Sequence, residues 1–84
     1  MPENRHSTED LIQELIEHQQ AKVLKVAREI VPEATPEDIR NPQDFPDLVS
    51  DTLFNYEDGI LTGYITLQTA LRKRSRTENP DSKL

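Results

Sequence analysis

The chain has 84 residues, 33% of them hydrophobic, and 16 Asp and Glu against 10 Lys and Arg give a formal net charge of −6. That length holds one small domain, and no apolar run approaches the roughly 20 residues that a bilayer-spanning helix needs. The complete lack of Cys excludes a disulfide framework, a thiolate metal site and a Cys nucleophile. Met1–Asp10 is polar and no apolar stretch of signal-peptide type follows it, so the expectation is an intracellular, cytoplasmic protein. A single core of this size rarely supplies more than about 3–5 kcal/mol. With no disulfide or evident metal to add to it, oligomerisation is the expected supplement, most simply a homodimer.

The first predicted element is a long helix over 8–31, behind a flexible tail at 1–7. Ser7 or Thr8 starts it, Ser7 with Asp10 approximates a capping box, and Glu9 and Asp10 suit the positive end of the helix dipole. Ile12, Ile16, Gln19, Val23, Val26 and Ile30 recur at helical spacing and form one stripe, widened by Leu11, Leu15 and Ala27. Gln19 is the stripe's one polar member. Such a residue fixes the register of a helical seam at some cost in stability, and here partial exposure is expected. Glu14, Glu17, His18, Lys25 and Arg28 cover the opposite face, and Pro32 ends the helix.

Pro32, Pro36, Pro42 and Pro46 then exclude a long helix through the connector. Thr35-Pro36-Glu37-Asp38 is a helix start, with Thr35 as N-cap and Pro36 in the first turn, and Asn41-Pro42-Gln43-Asp44 repeats the signal. Structureless loops longer than about 12–15 residues are uncommon in compact domains. Short helical turns are therefore expected, tied down by Ile39, Phe45 and Leu48.

The last segment reads in two ways. Asp58-Gly59 between apolar runs is a hairpin signal. Against it, Ile60, Tyr64, Leu67 and Leu71 keep a helical stripe that continues through Gln68-Thr69-Ala70-Leu71, and Arg72, Lys73 and Arg74 suit a helix C-terminus. The helical reading prevails: a short helix near 47–54, with Asn55 and Asp58 starting a longer one over 56–74. Its main face, Ile60, Gly63, Tyr64, Leu67, Ala70 and Leu71, is expected to meet the first helix. Leu61 and Ile65 then turn toward a second subunit or another protein. Gly59 and Gly63 each cost about 1 kcal/mol relative to Ala inside a helix; either the first helix packs closely against them, or Gly59 breaks the chain.

No constellation for catalysis is present. Glu14 and His18 share a helix face but lack the further ligands a metal needs, and the acidic stretch Asp44, Asp47, Asp51, Glu57 and Asp58 does not follow a calcium-loop pattern. No phosphate-binding glycine loop or nucleophile motif occurs. Residues 33–58 carry eight acidic groups and Arg40, a net of −7, while residues 72–84 carry five basic and two acidic groups, a net of +3. Arg72-Lys73-Arg74-Ser75-Arg76 has no interleaved aromatic for stacking on bases. Ser82-Lys83-Leu84 matches the peroxisomal address, a three-residue pattern that also arises by chance.

The sequence thus predicts an all-α fold: two long antiparallel helices, 8–31 and 56–74, joined by a proline-rich connector and dimerising into a helical bundle. One domain covers 8–75, with polar tails at 1–7 and 76–84. The expected role is a non-enzymatic, self-associating protein–protein interaction module without cofactor or membrane contact, binding through Leu61, Tyr64 and Ile65. The alternatives are a nucleic-acid binder working through residues 72–76, or an acidic mimic that occupies a basic protein partner.

Overall fold

The computed structural model describes residues 3–77, with side-chain surroundings for 8–75. The chain order is α1 (Glu3–Ile30), α2 (Pro36–Arg40), a 3-10 turn (Pro42–Asp44), α3 (Pro46–Val49) and α4 (Thr52–Thr77). No strand occurs among the described residues. Gln13 contacts Gln68 while Gln19 contacts Glu57, so positions rise along α1 as they fall along α4: the two long helices are antiparallel. The molecule is a rod measuring 49 × 27 × 19 Å. Its core is the seam between the long helices, closed at one end by the connector.

α1 follows the predicted stripe. Ile12, Ile16, Gln19, Val23 and Ala27 are buried, and Val26 and Ile30 pack partly against them. The helix reaches back to Glu3 instead of starting at Ser7 or Thr8, so the capping role expected of Ser7 falls inside a continuing helix. At the other end Pro32 stops it as expected. The Val31 N–H still donates to the Ala27 carbonyl at 2.7 Å, after which the Arg28 Nε–H crosses to the Ala34 carbonyl at 2.9 Å and turns the chain back.

The connector is ordered by its prolines and caps. Thr35 forms a capping box with Asp38: its Oγ1 accepts from the Asp38 N–H at 3.2 Å, and Asp38 Oδ2 accepts from the Thr35 N–H at 3.0 Å. Pro36, Pro42 and Pro46 each occupy the first turn of a short element, where no N–H is required. The expected tethers hold: Ile39 and Leu48 are buried and Phe45 packs partly against the core.

The last helix differs from expectation at its start. The break placed at Asn55 does not exist, because α4 begins at Thr52 and carries Phe54 in its first turn. Asp51 is the cap: its Oδ2 accepts from the Phe54 N–H at 2.7 Å. Asn55 instead donates to the Val49 and Asp51 carbonyls at 2.7 and 2.9 Å, stitching α3 to α4. A fully buried Phe54 then draws this turn into the core.

Both explanations offered for the glycines also fail. α4 runs unbroken through Gly59 and Gly63, and a Cβ placed on either meets nothing within 4 Å. α1 therefore does not approach them closely. Asp51→Ala should lower stability by about 1 kcal/mol through loss of the cap. Gly59→Ala should raise it by about 0.5–1 kcal/mol, since Ala restricts the unfolded chain and nothing stands in its way. Urea denaturation followed by circular dichroism measures both.

Candidate protein-binding surface

The rotation of α4 about its axis decides which side chains are available to a partner. The inward positions are Phe54, Glu57, Leu61 and, half-buried, Tyr64 and Gln68, again at helical spacing. Two of these are polar. Glu57 is 6% exposed and faces Gln19, itself 5% exposed. The Gln19 Nε2 donates both to Glu57 Oε1 at 2.8 Å and to the Glu57 carbonyl at 2.9 Å. Lys22 adds charge compensation, its Nζ standing 3.8 Å from Glu57 Oε2. About three turns further along α4, Gln68 Nε2 donates to Gln13 Oε1 at 2.8 Å. No buried side-chain nitrogen or oxygen among the described residues lacks a partner.

This polar seam turns α4 by about a quarter turn from the expected orientation, at 100° per residue. Leu61, expected to point away from α1, is only 7% exposed and belongs to the core. Tyr64 packs partly against that core, and Ile65 is 40% exposed. Leu61, Tyr64 and Ile65 therefore do not form one outward patch. Leu67 and Leu71, assigned to the face against α1, are exposed instead.

The exposed apolar surface lies on one flank of the hairpin. Leu11 and Leu15 lie a quarter turn from Ile12 and Ile16 on α1, and Leu53, Tyr56, Leu67 and Leu71 occupy the corresponding side of α4, with Ile60 half-exposed between them. Contiguous exposed apolar area of this kind marks interaction sites, whereas single exposed leucines do not. The spacing Leu53, Tyr56, Ile60, Gly63, Leu67, Ala70 is visible in the sequence. It passes for the inward face because the true inward face carries Glu57 and Gln68.

The opposite flank holds a shallow cavity of about 550 Å³ where α1, α4 and the connector meet, lined by Leu24, Ile39, Leu61 and Ile65 with Arg40 and Asp58 among its polar members. Burial pushes the Asp58 carboxyl above its ordinary value of 3.8. Among the described residues no group of three or more His, Asp or Glu converges to hold a metal ion, and no helix is long and apolar enough to cross a membrane. Arg72 and Lys73 lie near the end of α4, far from the acidic connector. The tail residues 78–84, with Ser82-Lys83-Leu84, lie outside the described residues. Comparison with protein-family models, curated proteins and solved structures finds no match to this chain.

Two measurements follow from these contacts. Gln19→Leu should cost about 1–3 kcal/mol, because the Glu57 carboxylate stays buried without its donor, whereas Gln19→Leu with Glu57→Leu should recover most of that loss. A double-mutant cycle in urea reads the coupling. Asp58 binds its proton more tightly folded than unfolded, so its ionisation opposes folding. Its contribution therefore falls as pH rises from 3.8 through the raised value. Asp58→Asn should remove that fall and stabilise the chain at neutral pH, as seen in melting temperature against pH.

Proposed function

We propose that this chain is a non-catalytic protein–protein interaction module that self-associates through the apolar flank of Leu11 and Leu15 on α1 and Leu53, Tyr56, Leu67 and Leu71 on α4. The observation that carries this reading is the exposure of that flank: Tyr56 is 65% and Leu11 56% exposed on a chain whose core is a single helix seam.

Burying several leucines offsets the loss of freedom on association, because each fully buried large aliphatic side chain contributes about 1.5–3 kcal/mol. Light scattering after size exclusion should give twice the chain mass at concentrations where a weaker complex would dissociate. Leu15→Glu combined with Leu67→Glu should restore a monomer while leaving helicity intact, since neither side chain belongs to the core. A monomeric wild-type chain at every accessible concentration would sink the proposal.

A further inference from the structure

The outward stripe of α4 has a property that selects its partner. Leu53, Tyr56, Ile60, Gly63, Leu67 and Ala70 repeat at alternating intervals of three and four residues along one line of the helix. That is the spacing of a helix-pairing seam, over about 26 Å at 1.5 Å per residue. Reversed end for end, the stripe falls on itself. Leu53 then meets Ala70, Tyr56 meets Leu67, and Ile60 meets Gly63. Each of the three pairs sets a larger side chain against a smaller one, and the space beside Gly63 is open to at least 4 Å around a Cβ position.

We infer that the partner of this surface is a second copy of the same chain, docked antiparallel through α4, with Ile60 of each copy entering the gap at Gly63 of the other. This rests on the self-association proposed above and adds its geometry. A parallel arrangement sets Gly63 against Gly63 and Ala70 against Ala70, leaving voids, and Tyr56 against Tyr56 and Ile60 against Ile60, crowding the same seam. Interiors pack near crystal density, so both errors cost stability.

Charge makes the same choice. The connector end of the rod carries eight acidic groups and Arg40 over residues 33–58, offset in part by Lys22, Lys25 and Arg28 at the same end of α1, and the other end of α4 carries Arg72, Lys73 and Arg74, with Glu9 and Asp10 of α1 beside Arg72. Antiparallel docking brings the connector of one copy beside Arg72 and Lys73 of the second. Parallel docking brings the two acidic connector ends together, where like charges repel over a Debye length of about 10 Å at 0.1 M salt. The isologous contact also closes on itself, as a two-fold dimer interface requires.

The natural absence of Cys makes the orientation directly readable. Leu53→Cys and Ala70→Cys are prepared as separate full-length chains, confirmed helical, and treated with a short bismaleimide alone and as an equimolar mixture. Antiparallel docking gives a covalent dimer in the mixture and little from either variant alone. Self-crosslinking of each variant alone would identify parallel docking and overturn the inference. A dimer by light scattering that does not crosslink in the mixture would place the contact on another face, overturning the inference while leaving self-association standing. A monomer would overturn both. Independently, Gly63→Leu fills the gap that receives Ile60, so self-association should weaken roughly tenfold or more, while Thr69→Ala, exposed and away from the stripe, leaves it unchanged. Unweakened association of Gly63→Leu would rule out Ile60 against Gly63.

Discussion

The contact between Gln19 and Glu57 fixes how the two long helices face each other. A carboxylate buried in a helix seam is costly unless its oxygens find donors. Here one amide nitrogen serves both the side chain and the backbone carbonyl of the same residue, at 2.8 and 2.9 Å. Sliding α4 by one turn would bring Glu57 against Ile16 or Val23, neither of which can donate. The contact adds little net stability beyond what a leucine pair would supply. Its effect is to penalise every other register and rotation. Once Glu57 points inward, Phe54, Leu61 and Tyr64 must follow, and Leu53, Tyr56, Ile60 and Leu67 are left outside.

The connector enforces the same arrangement from the other end. A hairpin of two helices needs its ends fixed as well as its middle, and four prolines restrict the backbone between Pro32 and Pro46 before folding begins. Arg28 reaching the Ala34 carbonyl sets the exit from α1, and Asp51 with Asn55 sets the entry to α4. Leu48 and Phe54, both fully buried, connect these caps to the core. The acidic residues of the connector itself stay exposed or half-exposed. Over residues 33–51 they number six against Arg40, a net of −5 carried on one end of the rod and not spread along it.

Much of this is legible in the residues, and the exceptions share a cause. The stripe on α1, the capping box at Thr35 and the tethers Ile39 and Leu48 are local patterns of spacing and capping, readable without knowing what packs against them. The rotation of α4 is different. Its two candidate stripes differ by about a quarter turn, and the more apolar of the two is the natural choice for the core. That choice fails because Gln19 makes a polar partner preferable across the seam, a pairing between positions 38 residues apart. The start of α4 fails for a related reason: Asn55 is a strong cap by type, and only its contacts to Val49 and Asp51 show that it serves the junction instead. Long-range pairing of polar groups leaves no period in a sequence.

The polar seam and the outward stripe are two sides of one trade. Placing Gln19 and Glu57, with the half-buried Gln68, at the junction gives up apolar burial that leucines at those positions would provide, in a domain whose core is small to begin with. The same rotation turns the more apolar stripe of α4 outward. A hairpin built in this way specifies its own register well and satisfies its hydrophobic surface poorly. Gly63 sharpens the point. It lowers the helix propensity of α4 by about 1 kcal/mol relative to Ala and gains nothing from α1, which does not approach it. A residue that costs the isolated hairpin and sits opposite Ile60 on an end-for-end reversed copy is explained by the proposed second chain, whereas among the described residues of the first no atom comes within 4 Å of its Cβ position.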